Sequence, residues 1–271
     1  MTAGAPPLLV PDWPAPPGVR ALFTLRGGSA ADGASAAPRE FFNLGDHVGD
    51  APAAVAANRA RLHGAMGARP VFMNQVHGVQ VARLAPGMAD GAPADAAVSA
   101  RPGLACTVMV ADCLPVLFTD AAGTLVAAAH AGWRGLAGGV LERVLECFWP
   151  PAPASKALEA TEKIADDILA WLGPCIGPRA FEVGAEVREA FAVTDPGAAA
   201  CFQPLPAGKF LADLPALARR RLAARGVTRV YGNDGGAAWC TVAQRARFFS
   251  YRRDQAALGG SGRMAACIWL D

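Results

Sequence analysis

The chain has 271 residues, enough for one large domain or two small ones with a well-buried core. It is 53% hydrophobic and 18% charged, and its 25 basic and 23 acidic residues leave a net charge of +2, which excludes the cationic footprint of a nucleic-acid binder. Mean hydropathy is +0.25, yet no apolar run is long enough to span a bilayer, and Met1 to Pro7 lacks the basic and apolar regions of a signal peptide, so a cytoplasmic protein is expected.

In chain order, residues 1–19 are rich in proline and alanine and read as a loose lead-in to a single domain over 20–271. Thr24 to Ala37 is rich in glycine and alanine and reads as a loop beside the site. Ala53 to Met66 has helical spacing, with Val55, Leu62 and Met66 on one face and Asn58, Arg59 and Arg61 on the polar side. Pro70 to Val76 predicts a strand running into His77, and Val79 to Val81 a further extended segment. Three short buried strands follow at 104–109, 115–119 and 125–129. A glycine-rich turn after His130 leads to a helix over 136–148, with Val140, Leu141, Val144, Leu145 and Phe148 inward and Glu142, Arg143 and Glu146 outward. Pro150-Pro151 should stop that helix, and 150–165 reads as a linker. A strand is expected at 167–172. Asp213 is a candidate N-cap, with Pro215 in the first turn and Gly226 as the stop, and Arg219-Arg220-Arg221 with Arg225 on a solvated helix face. Strands at 227–231, 248–251 and 265–270 complete an α+β fold without internal repeats.

Seven cysteines, at 106, 113, 147, 175, 201, 240 and 267, are odd in number and unevenly spaced, with no C-x-x-C pair. They predict reduced thiols, most of them small buried hydrophobes, and no disulfide framework.

Three segments carry ligand-type side chains: Asn74-Gln75-Val76-His77-Gly78, Ala111-Asp112-Cys113-Leu114-Pro115 and His130-Ala131-Gly132-Trp133-Arg134-Gly135. Two histidines and one cysteine leave one tetrahedral position of a zinc ion open, as catalytic zinc requires. The ligands are 36 and 17 residues apart, so only the fold can assemble them. Buried core histidines and a buried thiol fit the same pattern. So does a Cys113 nucleophile with His77 or His130 as its base. Asp112, next to Cys113, is a candidate base, a group that orients a ligand, or an ordinary turn aspartate. Four glycines between Gly132 and Gly139, with Arg134, offer amides and a guanidinium to an anion, although neither a dinucleotide nor a Walker motif is present.

Together with Asn43-Leu44-Gly45-Asp46, Ala94-Asp95-Ala96, Gly173-Pro174-Cys175-Ile176-Gly177-Pro178, Phe181-Glu182-Val183-Gly184, Cys240-Thr241, Phe248-Phe249-Ser250-Tyr251-Arg252-Arg253-Asp254 and Gly262-Arg263, these segments resemble the YfiH-like, laccase-domain family. Its members are also described as zinc-dependent purine nucleoside phosphorylases, and the resemblance runs from about Phe23 to the C-terminus. It implies a single α+β domain of mixed sheets flanked by helices, and zinc on His77, Cys113 and His130. It further implies phosphorolysis of adenosine, inosine, guanosine or methylthioadenosine, with adenosine deamination. Arg134, helped by Arg26 or Arg252, would hold phosphate, with Asn43 and Phe249 as substrate contacts. Cys175 is a substrate-side candidate or a fourth metal ligand. A purine nucleoside and phosphate are the expected partners, with no nucleic acid, membrane or protein partner evident.

Two rival functions follow from the same resemblance. One is a copper-dependent polyphenol oxidase, because His₂Cys is also a blue-copper ligand set. A multicopper oxidase of the cupredoxin type, however, needs many more histidines than the four present. The other is a zinc amidase that edits L-serine-containing cell-wall precursors.

Overall fold

Side-chain alternation along the central strands sorts the core into layers. In β7 (Leu114–Asp120) and β8 (Val126–Ala131), Val116, Phe118, Ala127 and Ala129 face one side, and Leu117 and Ala128 the other. Both faces are buried, which is why these strands read as unbroken apolar runs. They form the centre of a six-stranded sheet ordered β13 (Arg229–Gly232), β9 (Ile168–Leu172), β7, β8, β5 (Ala96–Ser99), β4 (Val81–Arg83), antiparallel inside and parallel at its two outer pairs.

Leu117, Ala128, Ala97 and Trp171 pack against a second, five-stranded sheet. Its order is β1 (Leu8–Leu9), β2 (Val19–Thr24), β14 (Met264–Leu270), β6 (Leu104–Val110), β3 (Arg69–Phe72), and only β3 and β6 run parallel. Its far face, with Leu22, Met109, Cys267 and Trp269, is covered by Leu62 and Met66 of α1 (Pro52–Met66). The six-stranded sheet is covered by α2 (Trp133–Gly138), α3 (Val140–Leu145), α4 (Ala185–Ala192) and α5 (Leu214–Ala223). A small antiparallel sheet of β10 (Glu182–Val183), β12 (Phe210–Ala212) and β11 (Phe202–Pro204) packs beside them. This computed structural model describes residues 5–149 and 165–271. The expected Pro150-Pro151 stop and all of the 150–165 linker except Ala165 lie outside the described residues. No described helix is long and apolar enough to cross a membrane.

The α+β class, the central strands and α5 agree with the sequence; Asp213 caps α5 by accepting from Ala216 N at 2.9 Å. Other expectations change. Leu8–Leu9, within the expected lead-in, pairs with β2. The single helix over 136–148 is two short helices, broken where Gly139 takes φ +95°. Glu142 turns inward and pairs with Arg221 at 2.6 Å, and Arg219 donates to the Val230 and Asn233 carbonyls, so the arginine run is not simply a solvated face. Asn58 is fully buried, bonding Ala34 N, Ser35 and two carbonyls, which moves it off the polar side of α1. Phe248 to Tyr251 is not a strand: Ser250 accepts from Arg253 N at 3.2 Å and caps α6 (Tyr251–Leu258).

Candidate metal centre

Strand pairing assembles the three ligand segments. β6 and β7 are joined by Ala111-Asp112-Cys113, and the antiparallel register sets Pro115 opposite His130, so the start of β7 lies beside the end of β8. His77 sits in the turn after β3. That turn is tied to β6 by Gln75, whose amide donates to Met109 O at 2.8 Å and accepts from Met109 N at 2.7 Å. The donor atoms of His77, Cys113 and His130 all lie within 4.8 Å of one another. Cys113 Sγ is 3.9 Å from His77 Nε2. Tetrahedral zinc with ordinary bond lengths would set such a pair about 3.6 Å apart. The donor set therefore fits a single ion.

One carboxylate organises this arrangement. Asp95, fully buried at the head of β5, accepts from the amides of Val76, His77 and Gly78 at 3.1, 2.9 and 2.7 Å. It also accepts from His130 Nδ1 at 2.8 Å. An ionised carboxylate only accepts, so His130 carries its proton on Nδ1 and keeps Nε2 available to an ion. The Asp95 amide cage holds the His77 backbone at φ +60°, a conformation a residue with a Cβ seldom adopts. Gly132 completes the site by absence: a Cβ there would lie 2.9 Å from His77 Cδ2 and 3.0 Å from Cys113 Sγ.

Charge and burial oppose each other at these groups. Burial pushes the Cys113 thiol up, but the His130 charge and hydrogen bonds with both histidines outweigh it and bring it down to about 6. Burial disfavours charged His130, while the Cys113 thiolate and Asp95 raise it to about 9. Burial also works against ionised Asp95, whose hydrogen bonds from His130 and the turn amides still hold it below the usual carboxylate value. The low-lying thiolate makes Cys113 a ready metal ligand.

The centre opens into a cavity of about 540 Å³ that reaches Arg134, Arg252 and Arg263 and the rings of Trp133, Phe181 and Tyr251. Asp112 also lines it, with its backbone at φ +92°. Its carboxylate accepts from Thr241 Oγ1 at 2.5 Å and Arg252 N at 2.6 Å, an arrangement that fastens the Cys113 turn.

Of the residues expected in the site, His77, Asp112, Cys113, His130, Arg134 and Arg252 line this cavity, whereas Arg26, Asn43, Cys175 and Phe249 do not. Arg26 pairs with Glu40 at 2.9 Å and lies over the Phe249 ring, which is fully buried. Asn43 is fully buried and bonds Asp50, Gly45 and Arg263 N. Cys175 is fully buried, with its thiol on Ile176 O and Asn233, outside the donor group. Sequence reasoning passed over Asp95, Gln75 and Arg263. Gln75 stands in the segment singled out for His77, and Asp95 and Arg263 stand in motifs that read as family markers without a role.

Residues 20–271 match a family model described as multi-copper polyphenol oxidoreductase laccase. A purine nucleoside phosphorylase of Pseudomonas aeruginosa is 50% identical, over 97% of this chain and 98% of its own length. Purine nucleoside phosphorylase YfiH of Escherichia coli is 48% identical over the same shares. Among solved structures, a Neisseria meningitidis protein of the DUF152 family superposes with a TM-score of 0.86 at 46% identity, covering 97% of this chain and 99% of the other. YlmD of Geobacillus stearothermophilus gives 0.83 at 30% identity, covering 98% and 97%. With nearly the whole chain shared in sequence and fold, the protein belongs to the YfiH-like family described as multi-copper polyphenol oxidoreductase laccase.

Proposed function

We propose that this protein is a zinc-dependent purine nucleoside phosphorylase, converting adenosine, inosine, guanosine or methylthioadenosine and phosphate into free base and ribose 1-phosphate, with adenosine deamination as a second activity. The observation that carries this reading is the half-identity, along nearly the whole chain, to proteins bearing the phosphorylase name. The cavity is consistent with it. Trp133, Phe181 and Tyr251 supply flat apolar surface for a purine, and the arginines supply charge for an oxyanion.

Two nitrogens and a thiolate, with no fourth donor among the described residues, suit zinc with an open position. Zinc bound there would polarise a reactant oxygen or supply hydroxide near neutral pH. Asp95 orients His130 directly and His77 through its backbone, and Asp112, held by Thr241 and the Arg252 amide, fixes the Cys113 turn. We place the activity in the cytoplasm, where the seven cysteines, all free, stay reduced.

The family description points to copper oxidation, but His47 lines the cavity outside the donor group and His63 is exposed on α1. Two remaining histidines are too few for a multicopper cluster, so copper-loaded oxidation is at most a side activity.

The test is product analysis with adenosine and metal-quantified protein, with and without phosphate. Adenine and ribose 1-phosphate formed only with phosphate supports the proposal; inosine formed regardless of phosphate assigns the deamination. No turnover by zinc-loaded protein overturns the reading and favours hydrolysis of a serine-bearing cell-wall amide, which the same open metal position would suit.

A further inference from the structure

Three arginines reach the cavity, and their commitments differ. Arg134 is exposed, with its guanidinium carbon 4.3 Å from the Trp133 ring centroid. Arg252 donates through Nη2 to Glu182 O at 3.0 Å and lies over Phe181. Arg263 is half-buried, and its Nη1 donates to the carbonyls of Ser261 and Gly262, both at 3.1 Å. Its Nε and Nη2 have no hydrogen bond among the described residues. No carboxylate among them lies within ion-pair distance of Arg263.

The electrostatics around Arg263 are unusual for an arginine. Burial disfavours its charge and Arg39 adds like-charge repulsion, while Cys113, Asp112 and Tyr251 supply the favourable field. Asp112 makes no ion pair with Arg263; its two oxygens accept from Thr241 and the Arg252 amide instead. A half-buried guanidinium with two donor groups that no described residue engages is suited to receive an oxyanion.

The chain also holds this side chain in place from a distant loop. Asn43 Oδ1 accepts from Arg263 N at 2.8 Å and from Gly45 N at 2.9 Å, and Leu44 N donates to Arg263 O at 3.1 Å. Gly45 leaves the passage for the arginine stem: a Cβ there would lie 2.7 Å from Arg263 Cγ. This gives the buried Asn43 a reason to be where it is, although it does not line the cavity.

We propose that Arg263 anchors an oxyanion subsite of the metal-centre cavity, occupied by the phosphate co-substrate, and that Asn43 and Gly45 are its positioning residues. Calling the anion phosphate rests on the phosphorylase reading; the subsite itself rests on Arg263 and its surroundings.

The experiment measures inorganic phosphate binding by calorimetry, and separate KM values for phosphate and adenosine, on zinc-loaded wild type, Arg263→Gln, Arg263→Lys and Gly45→Ala. Losing a charge-assisted contact should raise the phosphate KM by about tenfold or more in Arg263→Gln. The adenosine KM and the zinc content should stay within about twofold of wild type, a split that a general packing defect would not produce. Arg263→Lys should recover part of the loss, and Gly45→Ala should weaken phosphate selectively by displacing the arginine stem. An unchanged phosphate KM in Arg263→Gln, or an equal rise for both substrates, overturns the subsite. The two readings fail separately. Phosphate binding lost in Arg263→Gln but no nucleoside cleavage by wild type removes the phosphorylase and leaves the subsite. Nucleoside cleavage with an unaltered phosphate KM does the reverse.

Discussion

Asp95 and His130 are bonded twice, carboxylate to ring nitrogen at 2.8 Å and carbonyl to backbone amide at 2.7 Å, so one residue fixes both the ring and the strand that carries it. The same carboxylate holds the His77 turn through three amides. Two of the three candidate metal donors thus depend on a single fully buried side chain.

Asp95→Asn should therefore act first on the metal. The amide keeps the shape but loses the charge, and its NH₂ group faces donors. Zinc affinity is expected to fall by about 10–100-fold, the usual cost of removing a partner that orients a ligand histidine. Chelator competition on folded protein measures this. Wild-type affinity in the variant would show that the contact does not tune the centre.

The metal-free protein should show a reactive thiolate. The Cys113 value of about 6 lies below its ordinary 9.0, so its contribution to stability is present above the ordinary value and is lost as pH falls through about 6. The His130 value of about 9 lies above its ordinary 6.5, so its contribution is full below that value and is lost as pH rises through about 9. Both shifts describe one thiolate–imidazolium pair, which persists between the two edges. Iodoacetamide should alkylate metal-free Cys113 with a rate midpoint near 6, and zinc should protect it; a midpoint near 9 would rule out the pair.

How much of this the chain discloses depends on whether a residue's neighbours are local. Residues 115–119 and 125–129 read as strands because burial on both faces leaves them apolar apart from Thr119. His77, Cys113 and His130 stand out because their chemistry is rare among apolar strands. Asp95 does not, since a lone aspartate before a strand looks like any turn residue until β5 pairs with β8. Arg263 is hidden for the same reason, with its partners more than 200 positions away at Asn43 and Gly45. Phe248-Phe249-Ser250-Tyr251 has the composition of a strand, yet the Ser250 cap and the Asp254 carboxylate, which accepts from Ser250 N at 3.3 Å, select a helix.

Gly132→Ala separates the fold from the centre. Its added methyl would sit 2.9 Å from His77 Cδ2 and 3.0 Å from Cys113 Sγ, and those side chains are the ones that must yield. The backbone at Gly132, with φ −62°, admits alanine without strain, so the thermal midpoint of metal-free protein should hold. Zinc per chain, measured after dialysis, should drop well below one. Stoichiometric zinc in this variant would mean that the three donors move more freely than their packing suggests.

Thr241→Val tests the turn from the opposite side. Asp112 keeps its φ of +92° because Thr241 Oγ1 and Arg252 N grip its carboxylate, and Ile176 N donates to its carbonyl at 2.9 Å. Valine preserves the volume of the threonine and removes only the hydroxyl, leaving one oxygen of a buried carboxylate short of a donor. Loss of a hydrogen bond to a charged group should cost about 1.5–3 kcal/mol, read as a lower urea midpoint with an unchanged slope. Cys113 lies next in the chain, so zinc affinity should weaken with it, whereas a residue that served only packing would lower the midpoint and leave the affinity alone. Thr241→Ser, which restores the hydroxyl, should recover the affinity; failure to do so would detach Asp112 from the metal centre.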